Sequence, residues 1–345
     1  MLSIGACEEV PIQGFWMRKL CSLVALAILL LGAGSRRPMT PVLQRVADIP
    51  LSGPALRFDY QSIDTTANRL YISHMDAGEL VVFNLESRRV EGTIRHLPRV
   101  TGVWAVPALG TIYASVPGKH SVAVIDARTL GVKAWVGKIG FPDGIAYASD
   151  VKKIYVSDES GGGELVIDGP TNRKVTTIPL GGEAGNTIYD PGSGHILVAV
   201  QTLNEVIEID PRTDRVTARH ELKGASNPHG MALDAVSRLL FVANEGNANL
   251  LTVDLRTMGI VGTHRVGEDP DVLAFDPAWR QLYVASESGE VCVFAEGYDG
   301  LVYQGSVNMP HAHTVSVDPQ THLVYLPLQN IHGRPVLRIM SAHEP

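Results

Sequence analysis

The stretch PHGMALDAVSRLLFVANEGNANLLTVDLRT, Pro228 to Thr257, sets three apolar runs between two clusters of turn-forming residues. The first break, DAVSR, opens on Asp234, whose carboxylate can bond its own backbone amides and fix a tight turn. Short runs rich in Leu, Val and Phe between such breaks read as successive β-strands.

The run FVAN at Phe241 has counterparts along the chain: YISH at Tyr71, YASV at Tyr113, YVSD at Tyr155, LVAV at Leu197, YVAS at Tyr283 and YLPL at Tyr325. The intervals are 42, 42, 42, 44, 42 and 42 residues, a period too regular for chance. Seven residues before the anchor stand Asp64, Asp190, Asp234, Asp276 and Asp318; thirteen after it stand Asn84, Asp126, Asp168, Asp210 and Asp254. A fourth run follows in RVEGTI, KAWVGK, KVTTIP, RVTARH and IVGTHR. Four short β-rich runs per period describe one blade of a β-propeller.

The fold class expected is therefore all-β, a single seven-bladed propeller of four-stranded antiparallel blades. The seventh copy ends with PVLRIM, Pro335 to Met340, and lacks its fourth strand. VLQRVADIPL, Val42 to Leu51, supplies the spare strand and would close the ring, leaving no unpaired edge between first and last blades. The two-residue excess between the fourth and fifth anchors falls after Asp210.

Composition agrees. The 345 residues are 45% hydrophobic and 19% charged, which excludes a disordered, solvating chain. With 34 glycines and 21 prolines, turns are too dense for long helices. A net charge of −7 argues against a nucleic-acid partner, which calls for a basic face.

The N-terminus reads as an address. Arg18 and Lys19 precede a twelve-residue apolar run, Leu20 to Leu31, and a small-residue exit at Gly32-Ala33-Gly34. This is the tripartite layout of a secretory signal peptide over residues 1–34, with Met17 as the expected start of translation. Twelve residues rise only ~18 Å as a helix against a ~30 Å hydrocarbon core, so no permanent span is expected. Cleavage there leaves Cys292 as the single cysteine, which excludes an internal disulfide. The expected product is a periplasmic or secreted monomer with its propeller over residues 42–342.

The residues from Pro228 to Thr257 resemble the YVTN-type repeat of YncE-like exported β-propellers. The resemblance covers essentially the whole chain from Val42 to Ala342. It implies the fold, and it leaves the activity open: such families include surface and exported proteins, while related seven-bladed propellers include lactonases and a lyase. No GH…WD pair marks a WD repeat. Trp104, Trp135 and Trp279 occupy unrelated repeat positions, which argues against a quinone-cofactor propeller.

In a propeller the loops entering each innermost strand converge on one mouth of the central channel. Twelve residues before each anchor the chain presents Asp59, Thr101, Asp143, Gly185, His229, Asp271 and His313. Blades five, six, seven and one thus place His229, Asp271, His313 and Asp59 side by side. Two imidazoles interleaved with two carboxylates make these four the candidate ligands for a divalent metal ion. They also make His229 and His313 the candidate acid/base pair. Asp143, Asn244 and Glu245 extend the set as ligand-binding candidates, and His311, His74, Asn227, Glu159, Glu287 and Gln329 lie in nearby loops. Glu183, Glu268 and Asp269 are expected to make the face acidic, against few bases such as Arg99 and Lys223.

The competing reading is structural: Pro-His-Gly and Pro-Asp-Val are good turn formers, and the ring could serve neighbouring amides. The Asp residues seven before each anchor, with His195 and His322 in the same turns, fall on the opposite face and read as turn residues. No GxSxG elbow, Walker loop, HExxH helix or Cys-x-x-Cys pair appears, so no motif demands a cofactor. Complete repeats without a catalytic signature favour a binding or scaffold propeller for a small molecule or peptide. A metal-assisted hydrolase or lyase of the lactonase kind is the alternative.

Overall fold

The computed structural model describes residues 41–298 and 300–344; the signal peptide and the start at Met17 lie outside the described residues. Among the described residues twenty-eight strands form seven four-stranded antiparallel sheets in a ring. Blade 5 shows the common plan, with strands Pro228–Asp234, Leu239–Asn244, Asn249–Asp254 and Gly259–Arg265 from the channel outward.

The burial of each strand explains its sequence. In blade 5 the second strand is buried along both faces, because blades 4 and 6 cover it on either side, so LLFVAN reads as a continuous apolar run. Leu240 and Val242 join the cluster shared with blade 4, whereas Phe241 and Ala243 join the cluster shared with blade 6. Outer strands have one wet face, and Arg215–Glu221 of blade 4 alternates exposed and half-buried residues throughout. Seven such clusters exist, one at each blade-to-blade interface. The anchor tyrosines Tyr71, Tyr113, Tyr155, Tyr283 and Tyr325 are fully buried packing residues.

The repeated aspartates hold turns, as their spacing predicts. Asp64 Oδ1 accepts the amides of Thr66 and Ala67, and Asp234 and Asp276 do the same for the residues two and three ahead. His322 bonds Asp276 at 2.7 Å and stacks on Trp279, with ring centroids 4.2 Å apart. Cys292 is buried between blades, and burial pushes its thiol up to about 12, which makes it chemically inert.

The ring closes as the spare strand requires. Leu43–Pro50 pairs antiparallel with the last strand, Arg334–Ala342, from Leu43 opposite Ala342 to Pro50 opposite Val336. Arg338 grips Asp48 across this seam with two bonds of 2.7 Å. The two-residue excess after Asp210 lies in the loop 222–227, which leaves the fourth strand of blade 4 and enters blade 5. Among the described residues no helix is long and apolar enough to cross a membrane.

Candidate functional site at the channel mouth

The innermost strands of blades 3, 5 and 6 each begin with an irregular register, between Pro142 and Ile145, Pro228 and Met231, and Pro270 and Leu273. Asp143, His229 and Asp271 sit in these irregular stretches, where a strand can re-aim a side chain. The prolines open strands rather than turns, so the turn-former reading of Pro-His-Gly and Pro-Asp-Val does not describe them. In blades 1 and 7, Asp59 and His313 lie just ahead of the first strand.

Glycines let these positions approach one another. A Cβ on Gly230 would fall 1.6 Å from the Asp271 carbonyl oxygen, so only glycine permits blades 5 and 6 to meet this closely beside His229. A Cβ on Gly185 would stand 3.0 Å from the His229 Cα, which leaves the imidazole its place.

The result is a polar cavity of about 240 Å³ lined by Asp59, Asp143, His229, Asp271 and His313, together with Thr101 of the same ring. Asp271 is its hub. Oδ1 lies 2.9 Å from His229 Nδ1, and Oδ2 lies 2.8 Å from His313 Nε2. Asp59 stands on the far side of His313, 3.3 Å from Nε2, and Asp143 on the far side of His229, 3.7 Å from Nε2. The metal-candidate quartet therefore does not point at one centre; it divides into a His229 half and a His313 half that meet at Asp271.

A second tier comes from four residues past the anchors: Met75, Glu159, Glu245 and Glu287 line the same cavity. Glu245 reaches to 3.6 Å from His229 Nδ1 and Glu287 to 3.2 Å from His313 Nδ1. Asn244 stands apart, fully buried and donating to Val242 O and Asn249 Oδ1. His74 is stacked on Phe58 outside the cavity, and His311 and Gln329 flank an adjoining hollow.

Fourteen residues before the anchors, Arg57 and Phe141 also reach the cavity, as does Tyr60, which follows Asp59. These three were not singled out from sequence, although counting two residues further back along the repeat finds the first two. Glu183, Glu268 and Asp269 do not line it; the acids that do are Asp59, Asp143 and Asp271 of the ring and the glutamates of the second tier.

Six carboxyls thus face three bases, Arg57, His229 and His313. Burial alone would strip protons from both histidines, but the surrounding carboxylates, Asp271 foremost, with Asp143 and Glu245 at His229 and Asp59 and Glu287 at His313, together outweigh it and hold both well above the usual imidazole range. Asp271 is correspondingly held well below the usual carboxylate range: burial opposes this, and the two imidazolium charges overcome it. Burial raises Asp59 to about 6, its bond to His313 pulling the other way, and raises Glu159 to about 7, reinforced by Asp143. Glu245 is raised by burial, whereas the bond from His313 lowers Glu287. Tyr60, raised far up by burial, stays a phenol and donates to Asp143 Oδ2 at 2.9 Å.

With His313 protonated, the 3.0 Å approach of Arg57 Nη2 to Nε2 is a meeting of two donors. Glu287, 3.1 Å from the same guanidinium nitrogen, and Asp271 hold the two cations together. The larger depression of about 710 Å³ between blades 5 and 6 carries Arg256 on Asp254 and Arg280 on Glu296. A hollow of about 430 Å³ with mixed polar and apolar walls is lined by the innermost strands of all seven blades, Trp104 and Asn186 among the lining residues.

No protein-family model matches the chain. Antigen Lp49 of Leptospira interrogans is 26% identical over 199 residues, 52% of this chain and 41% of that protein, so the chain matches less than half of its relative. Among solved structures, a chain of Kuenenia stuttgartiensis hydrazine synthase superposes with a TM-score of 0.71 at 16% identity, covering 87% of this chain and 97% of that one. A chain of a mitotic checkpoint complex gives a TM-score of 0.73 at 11% identity, covering 89% and 96%. Likeness at such identities is a likeness of fold.

Proposed function

We propose that this chain is an exported propeller of the YVTN/YncE-like kind that serves as a binding protein, taking a small cationic group into the acidic mouth of its channel. The observation that carries this reading is the charge of the cavity, six carboxyls against three bases within about 240 Å³. Carboxylates crowded away from water repel one another, and a cation from outside relieves that repulsion. The volume lies below the 300 Å³ or so of most drug-sized ligand sites, so it suits an amine group or a metal ion rather than a whole large molecule. Export rests on the sequence of residues 17–34, and the family on the repeat from Pro228 to Thr257.

Calorimetric titration with putrescine, against succinate as a doubly charged anion of similar size, tests the reading. Putrescine should bind with an affinity that falls as salt rises and falls further in Glu159→Gln. Equal binding of succinate, or no binding of putrescine, would remove it. Turnover of a lactone abolished by His229→Ala would instead establish the hydrolase alternative.

A further inference from the structure

We propose that His229 Nδ1, Glu245 Oε1 and Asp271 Oδ1 together hold one divalent transition-metal ion, Zn²⁺ foremost. The inference rests on the cation-binding reading above and names the cation.

The three donors lie within 4.8 Å of one another and come from two neighbouring blades. Nδ1 of His229 stands 2.9 Å from Asp271 Oδ1 and 3.6 Å from Glu245 Oε1. Donors bonded at about 2.0–2.2 Å to one ion stand roughly 3–3.5 Å apart, and these two separations bracket that range. A second, independent observation points the same way. His229 and Asp271 are only 7% and 4% exposed, yet Nδ1 and Oδ1 have no hydrogen-bond partner among the described residues. At 2.9 Å the two atoms are close enough to bond, so it is alignment that fails. A shared ion that displaces the Nδ1 proton bonds both atoms, giving each the partner that buried polar atoms require.

The other imidazole nitrogen is placed as a metal-bound histidine needs. Nε2 faces Asp143 Oδ2 at 3.7 Å, and the Tyr60 hydroxyl fixes that carboxylate at 2.9 Å. A carboxylate behind the ring favours the tautomer that leaves Nδ1 free to ligate.

The His313 half also brings three donors, Asp271, Glu287 and His313, within 4.8 Å and leaves His313 Nδ1 without a partner, but it is built differently. Its carboxylates are divided between the two ring nitrogens, Asp271 at Nε2 and Glu287 at Nδ1, and one nitrogen can serve only one ion. Arg57 Nη2 also stands 3.0 Å from Nε2, so a fixed positive charge already occupies that side. The site is therefore one ion on His229 and none on His313. One imidazole with two carboxylates suits Zn²⁺ or Mn²⁺ better than Ca²⁺, which takes oxygen donors throughout. Three protein donors leave a coordination position for water or for a ligand's donor atom. Glu245, its side chain 30% exposed, gives the ion a way in.

The test uses the full chain stripped with chelator, then titrated with ZnCl₂ by calorimetry and with CoCl₂ by visible absorption. One Zn²⁺ per chain is expected, with affinity falling about tenfold or more in Glu245→Gln. His229→Gln should abolish the intensified Co²⁺ bands, while the distant His195→Gln should leave them unchanged. Thermal unfolding of Glu245→Gln without metal confirms that this half-exposed variant folds. If putrescine binds but Zn²⁺ does not, the metal site falls and the cation-binding reading stands. If neither binds, both fall. Zn²⁺ binding indifferent to Glu245→Gln and His229→Gln places the ion elsewhere and overturns the inference.

Discussion

Asp59 shows how burial sets the behaviour of a single residue. Burial holds its carboxyl at about 6, against an ordinary value of 3.8. Between those values the folded chain keeps a proton that the unfolded chain has lost. The stability this residue contributes is therefore complete below about pH 4 and declines as pH rises through 6. Glu159, at about 7 against 4.5, continues the same sign toward neutrality. The difference in melting temperature, Asp59→Asn minus wild type, should become more positive from pH 4 to pH 7; a constant difference would show that Asp59 titrates normally. The ring was legible at this scale because each blade contributes one residue at a fixed distance before its anchor. Asp59, Asp143, His229, Asp271 and His313 all reach the cavity. Asn244 looked equivalent to its neighbour Glu245, but the end of a strand turns successive side chains to opposite sides, and Asn244 bonds Asn249 instead. Arg57 was missed because it lies in a loop, where no apolar periodicity marks which side chains turn inward.

At the scale of strands, the two informative features are the close contact of blades 5 and 6 and the seam of the ring. Gly230→Ala places a methyl 1.6 Å from the Asp271 carbonyl, so the strands must separate. That should cost about 1–3 kcal/mol or more in denaturant unfolding, and should weaken cation binding through the His229–Asp271 pair. Gly131→Ala, where the added carbon meets nothing nearer than 3.5 Å, should stay within about 0.5 kcal/mol. Equal costs would mean that the contact is slack. At the seam, the bidentate Asp48–Arg338 pair should show a coupling of about 0.5–1 kcal/mol in a double-mutant cycle. A chain beginning after Pro50 should lose cooperative unfolding, since it exposes the edge of the last blade. Retained cooperative melting would show that the ring does not depend on that strand. The seam was readable in advance: the last repeat is one strand short and Val42 to Leu51 is one strand in excess. The register irregularities that aim Asp143, His229 and Asp271 were not, because they fall in the first residues of short strands, where too little alternation precedes them for the shift to show.

Across the whole molecule, seven apolar interfaces make a rigid ring, and the cost of crowding acids together at one mouth of the channel is met by that packing. Periodicity disclosed the ring in full, since the same 42-residue plan recurs with one insertion. It disclosed the sign of the charge at the mouth and most of its source. Asp59, Asp143 and Asp271 of the ring supply half of it, and Glu159, Glu245 and Glu287 the other half from the loops that follow the second strands of their blades, while Glu183, Glu268 and Asp269 lie outside the cavity. The central claim is that this mouth receives cations. Diffraction from crystals soaked in putrescine tests it most directly. The account predicts density for an ammonium group within about 3 Å of carboxylates in the cavity around Asp271. Density confined to the depression between blades 5 and 6, or an unchanged channel mouth at saturating putrescine, would contradict it.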